Sequence, residues 1–193
     1  MRSADYKIVP DERQIGRRRF LRWGAVGLLS AVIPDRGFAA VRGSLTPEKD
    51  LAFHNIHTSE DLSVVYWARG KYLHEALTEV NYILRDYRTG EVKAIDARLL
   101  DLLYALAGKL GSRRPFHVIS GYRSQKTNAL LRAQGHGVAK RSLHIQGKAI
   151  DIRLPGCKLG VLRRAAVELK GGGVGYYPGP NFVHIDVGPV RYW

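Results

Sequence analysis

The sequence predicts an α+β domain, with helices packed on a small, largely antiparallel sheet. Three observations carry this expectation. Leucines recur at helical spacing in the first half of the chain, and short segments that alternate apolar and polar residues dominate the second half. A single cysteine, Cys157, excludes an intramolecular disulfide framework. At 193 residues and 45% apolar, the chain can bury one sizeable core, expected as a single compact domain over residues 41–193.

The N-terminal 40 residues stand apart from that domain. Arg17 and Arg18 lead into Phe20, Leu21 and Arg22, an apolar run of eleven residues covers 23–33, and small residues follow at Gly37, Ala39 and Ala40. That run is shorter than the roughly 20 residues needed to cross a bilayer. Paired arginines before Phe-Leu resemble a twin-arginine signal, which implies export of the folded chain by the twin-arginine machinery to the periplasm. Residues 1–40 are read accordingly, with no stable membrane insertion after cleavage; an uncleaved basic anchor is the other reading.

Within the domain, "LAFHNIHTSEDLSVVYW" alternates on either side of a Thr-Ser-Glu-Asp turn and predicts a hairpin with strands near 51–57 and 62–67. A helix over 72–86 places Leu73, Leu77, Val80 and Leu84 on one face. Asp96 caps a second helix whose Leu99, Leu102, Leu103, Leu106 and Leu110 face inward until Gly111 stops it. "FHVIS" reads as a strand leading into "GYRS", "KTNALLRAQG" as a short helix ending at Gly135, and "KAIDIRL" as a strand. "CKLGVLRRAAVELKGGG" is a helix with Leu159, Leu162, Ala166 and Leu169 inward. "VGYY" and "FVHIDV" are strands joined through Pro178, Gly179 and Pro180.

The formal net charge is +14. Residues 1–40 hold eight basic and four acidic side chains, so the remainder still carries +10. Such a charge favours polyanionic surroundings, of which nucleic acid is the usual first candidate. Export argues against that partner and favours the cell-wall polymer with its peptide carboxylates, or an anionic membrane surface. General solubility is the plain alternative.

The period of two in strands organises the chemistry. In "KAIDIRL", Ile150, Ile152 and Leu154 share one face and Ala149, Asp151 and Arg153 the other. In "FVHIDV", Val183, Ile185 and Val187 share one face and Phe182, His184 and Asp186 the other. If the two strands are neighbours, Asp151, His184 and Asp186 share a surface that His144 reaches from the preceding loop. Two imidazoles and a carboxylate suit Zn²⁺, leaving a fourth position open, and Gly147 and Ala149 keep the space between the ligands clear. A hydrogen-bonded core histidine at 184, or a simple His184–Asp186 ion pair, is the bland reading of the same residues. His54, His57, His74, His117 and His136 read as structural or solvent-exposed, with His117 on the core side of its strand.

"SGYRS" at 120–124, "SLHIQGKAID" at 142–151 and "FVHID" at 182–186 resemble, in that order, the motifs of the zinc D-Ala-D-Ala peptidase and murein endopeptidase superfamily. From about Thr46 to Trp193 the chain is similar to the branch typified by murein endopeptidase K. The resemblance implies a zinc enzyme that cleaves cross-bridge peptides of peptidoglycan, with His144, Asp151 and His184 as metal ligands. It implies that Arg123 contacts substrate and stabilises the oxyanion, and that Ser142 supports the first ligand or touches substrate. Tyr122, Tyr176 and Tyr177 are expected along the cleft.

One position departs from the pattern: where several relatives carry a carboxylate as general base, three residues before the last histidine, this chain has Asn181. Asp186 is the nearest carboxylate and the candidate catalytic base, with metal hydroxide or a bound water as the alternative; its competing role is to orient a ligand histidine or bind substrate. Two rivals to the enzyme reading remain, a non-catalytic wall-binding module stabilised by zinc and a polyanion binder.

Overall fold

A computed structural model describes residues 47–135 and 138–193. Residues 1–40, read as an export signal, and His136 lie outside them. Among the described residues no helix is long and apolar enough to cross a membrane.

The first strands, β1 (Lys49–Asn55) and β2 (Glu60–Ala68), form the expected hairpin. Its turn falls at 56–59, earlier than predicted, because Glu60 and Asp61 are drawn into β2 by partners. Asp61 pairs across the strands with His54, at 2.9 Å from Nδ1, and Glu60 holds Arg85 at 2.8 Å. A two-residue strand, β3 (Lys71–Tyr72), extends β2. Helix α1 (His74–Ile83) is shorter than predicted at both ends, though Leu84 beyond it is still buried.

Helix α2 (Ala97–Lys109) starts where Asp96 accepts the Arg98 N–H, and Gly111 beyond it takes φ +59°. Its inward stripe is Leu99, Leu100, Leu103 and Leu106. Leu102 falls at the edge of that stripe, against Gly171, and Leu110 is likewise only partly buried. Then follow β4 (Phe116–Ser120), α3 (Gln125–Ala133), a 3₁₀ turn (Leu143–Gln146) and β5 (Ala149–Arg153). The chain continues through α4 (Leu159–Leu169), β6 (Gly173–Tyr177), β7 (Phe182–Asp186) and a last two-residue strand, β8 (Arg191–Tyr192).

All eight strands join one sheet in the order β3-β2-β1-β4-β5-β7-β6-β8. It is larger than the small sheet expected, because the N-terminal hairpin adds to the C-terminal strands through β1 and β4. That pairing and the one between β6 and β8 are parallel; the rest are antiparallel. Helices α1, α2 and α4 pack on β2, β1, and β6 with β7. Phe53, Phe116, Val118, Ile150, Ile152, Val183 and Ile185 are buried with them in one core. His117 is not on that side. Phe116 and Val118 fill the core, so alternation turns His117 to the opposite face, where its ring lies 4.8 Å from that of His54. The ionisable residues of β5 and β7 belong to this second face.

Candidate active site

The cross-strand register places the candidate groups before any side chain is considered. β5 and β7 run antiparallel with Asp151 directly opposite His184 and Ala149 opposite Asp186. In β6, Gly175 lies opposite His184. His144 comes from the 3₁₀ turn, which is capped at both ends. The Ser142 hydroxyl accepts the His144 N–H at 3.3 Å, and Gly147 closes the turn at φ +68°, a conformation that favours glycine.

The three side chains converge. His144 Nε2 lies 3.2 Å from Asp151 Oδ1 and 3.2 Å from His184 Nδ1, and His184 Nδ1 lies 2.9 Å from Asp151 Oδ1. All three residues are buried. Donor atoms on a tetrahedral ion with bonds of about 2.0–2.2 Å sit about 3.3–3.6 Å apart, so a slight opening of this trio accommodates one cation. The outer ring nitrogens are already committed. His144 Nδ1 donates to the Gly121 carbonyl at 2.7 Å, and His184 Nε2 donates to Asp186 Oδ2 at 2.9 Å. Both imidazoles therefore turn their remaining nitrogen toward Asp151, and the space between the three can hold only a proton or a metal ion.

Electrostatics agree with that. Burial lowers the His144 pKa and keeps this ring neutral. Burial also opposes charge on His184, but hydrogen bonds to Asp151 and Asp186, and the charges of both, raise it to about 9. Burial pushes the Asp151 carboxyl up, yet the adjoining imidazoles hold it well below the usual carboxylate range. The cluster thus demands positive charge.

Arg123 follows β4 and points its Nη2 at Asp151 Oδ2, 3.4 Å away, and at Ser120 Oγ, 3.2 Å away. It is buried, and its Nε has no partner among the described residues. The groups open onto a cleft of about 330 Å³ whose walls include Arg123, Arg141, Ser142, Tyr177, Phe182, Arg191 and Trp193.

Asp186 does not line this cleft, and its surroundings fit its competing role, that of orienting a histidine, better than that of a catalytic base. Its side chain is 0% exposed. Oδ1 accepts the Gly173 and Gly188 N–H groups and Arg191 Nη1, while Oδ2 accepts His184 Nε2 and Arg191 Nη2. Burial would raise its pKa, but these five donors hold it well below the ordinary value. A carboxylate so saturated orients His184 and has no lone pair left for a water proton. Asn181 is exposed in the β6–β7 turn at φ +58° and does not line the cleft either.

Two of the expected tyrosines are also elsewhere. Tyr122 packs against the core with Lys93 over its ring, and Tyr176 lies opposite Val183 on the helix side of β6, with Arg163 5.5 Å from its ring. Tyr177, one position on, faces the cleft. Arg141, Arg191 and Trp193 were not singled out by sequence, for they belong to no periodic pattern. Asp86, which anchors the Arg123 loop by accepting the Ser124 N–H at 2.8 Å, reads in sequence as an ordinary turn residue.

Residues 44–193 match the Peptidase_M15_2 family model, described as peptidoglycan L,D-endopeptidase MepK. The chain is 44% identical over 183 residues to the peptidoglycan L,D-endopeptidase MepK of Escherichia coli K12, covering 95% of this chain and 100% of that protein. The same figures hold for the protein of that name from Shigella flexneri. A probable peptidoglycan L,D-endopeptidase MepK from Haemophilus influenzae is 41% identical over 178 residues, covering 92% of this chain and 95% of the relative.

Proposed function

Because the chain belongs to the Peptidase_M15_2 family of peptidoglycan L,D-endopeptidases, we propose that it is an exported, zinc-dependent peptidase that hydrolyses peptide cross-links of peptidoglycan. The observation that carries the metal part of this reading is the convergence of His144 Nε2, His184 Nδ1 and Asp151 Oδ1, with every outer ring nitrogen engaged. A zinc ion held by these three groups would supply Lewis acidity to a scissile carbonyl and would lower the pKa of water.

The chain's own residues do the rest. Arg123, charged at any working pH, aims its guanidinium at the negative oxygen that develops as the carbonyl becomes tetrahedral. Asp186 keeps His184 in the tautomer that leaves Nδ1 free, and the Gly121 carbonyl does the same for His144 Nε2. Ser142 fixes the turn that carries His144. Peptidoglycan carries two kinds of cross-link: D-Ala to diaminopimelate joins two D centres, whereas a direct link between two diaminopimelates joins an L to a D centre. The L,D designation of the relatives supports the direct link as substrate. A substrate outside the cytoplasmic membrane supports a periplasmic location and residues 1–40 as a twin-arginine signal.

The test is muropeptide analysis of purified sacculi after digestion by wild type and by His184→Ala. Wild type is expected to release the L,D-linked products and the variant none; equal product from both ends this reading. Among the described residues no free carboxylate lines the cleft, and this favours a second reading, a zinc-stabilised wall-binding module without activity. In that case wild type binds sacculi and releases nothing.

A further inference from the structure

Amide hydrolysis needs a proton carrier, and the cleft offers few. The C–N bond breaks with its electron pair going to nitrogen, so the departing nitrogen must gain a proton as it leaves. The ionisable side chains lining the cleft are three arginines (123, 141 and 191), the His144–Asp151–His184 trio and Tyr177. Arginine keeps its protons in proteins. The trio is committed inward, and Asp186 is buried with both oxygens occupied. Among the described residues, Tyr177 is the one cleft-lining group left that can both give and regain a proton.

Its surroundings hold it for that purpose. In the β6–β7 register Gly175 faces His184 and Tyr177 faces Phe182, so the tyrosine stands on the same sheet face as the ligand, two residues along. The Phe182 ring stacks on the Tyr177 ring, with centroids 4.6 Å apart. The indole Nε1–H of Trp193 donates to the Tyr177 hydroxyl oxygen at 2.8 Å. A hydroxyl that accepts at oxygen still has its own hydrogen to donate, and the indole donor fixes the direction of that hydrogen.

Trp193 lies across Gly175, where a Cβ would sit 2.7 Å from its ring, and its ring centroid is 5.3 Å from that of His184. The pair therefore leans over the ligand histidine. Arg123, extending from β4, closes the opposite end, since the strand order β4, β5, β7, β6 puts Asp151 and His184 between it and Tyr177.

We propose that Tyr177 is a catalytic residue that protonates the departing amine, and that Trp193 is the positioning residue that aims and polarises its hydroxyl. This rests on the peptidase reading above. The Tyr177 O–H proton passes to nitrogen as the C–N bond breaks. The phenolate regains a proton from the attacking water, whose oxygen becomes part of the new carboxyl group. Tyr177 ends neutral, and the products are a carboxylic acid and an amine.

The experiment compares wild type, Tyr177→Phe and Trp193→Phe on a cross-linked peptide and on the matching ester with a phenolate leaving group, which departs without a proton. Bound metal is measured by mass spectrometry in each. Tyr177→Phe is expected to lower kcat on the amide by about 10²-fold or more, with KM and metal content little changed and a far smaller loss on the ester. Trp193→Phe, which keeps a ring but loses the N–H, gives the same amide-selective pattern at smaller size. An unchanged amide kcat in Tyr177→Phe, or equal losses on amide and ester, overturns the assignment and leaves the peptidase reading standing. If wild type cleaves neither substrate, the peptidase reading falls and takes this inference with it.

Discussion

At His184 the two ring nitrogens have different neighbours and hence different work: Nε2 is held by Asp186, and Nδ1 faces Asp151 and His144. Without a cation, the flanking carboxylates raise this imidazole to about 9 against the opposing effect of burial. The proton on Nδ1 is then the competitor of any metal. Below pH 9 it must leave before the nitrogen can coordinate, so apparent zinc affinity falls by up to about tenfold per pH unit as the medium is acidified. Competition against a chromogenic chelator between pH 6 and 9.5 measures this, and a flat profile refutes it. Asp186→Asn removes one of the two charges that sustain the shift. It should move the decline to lower pH and weaken zinc by about 10–100-fold where the wild-type site is deprotonated. That His144, Asp151 and His184 converge was legible from residue types and strand phase together with the family resemblance. The saturation of Asp186 was not, because four of its five donors come from Gly173, Gly188 and Arg191, whose approach no local pattern encodes.

The elements explain how Arg123 is aimed. The segment after β4 is tied down on both sides: Tyr122 N–H donates to the Leu84 carbonyl at 2.7 Å, Arg123 N–H to the His144 carbonyl at 3.2 Å, and Ser124 N–H to Asp86 at 2.8 Å. Ser124 also caps α3 by accepting the Thr127 N–H at 3.1 Å. Asp86 is buried. Desolvation works against its charge, but hydrogen bonds from Thr127 and Ser124 outweigh this and lower its pKa. Asp86→Ala leaves a buried N–H unpaired beside Arg123, which costs about 1–3 kcal/mol. The urea midpoint should drop, and kcat with it; a variant with lower stability but full kcat would show that the anchor does not hold Arg123. Ser124→Ala is the milder lesion, at about 1 kcal/mol. Helix α2 was legible to within a residue or two because its cap, leucine period and terminal glycine all agree. The two-residue strands β3 and β8 were not, being too short to show alternation.

For the molecule as a whole, the net charge, +14 for the full chain and +10 without residues 1–40, sets how it meets its surroundings. Attraction to an anionic polymer acts over about 10 Å at 0.1 M salt and only about 3 Å at 1 M. Binding to isolated sacculi should therefore weaken steadily as salt is raised, while catalysis on a small uncharged peptide should not. Binding indifferent to salt would assign the charge to solubility alone. The sheet order then gives the cleft its two ends, with Arg123 beyond β4 and the Tyr177–Trp193 pair on β6 and at the residue after β8. Residue chemistry and short-range period by themselves determined the α+β class, the strand faces and the candidate trio His144, Asp151 and His184, since side-chain type and alternation are local properties. Only the tertiary structure decided that the hairpin extends the same sheet, that Asp186 is buried with both oxygens occupied, and that Tyr177 rather than Tyr122 or Tyr176 enters the cleft. Each of these depends on which distant strand, backbone amide or indole arrives alongside, and that is fixed by packing of the whole chain.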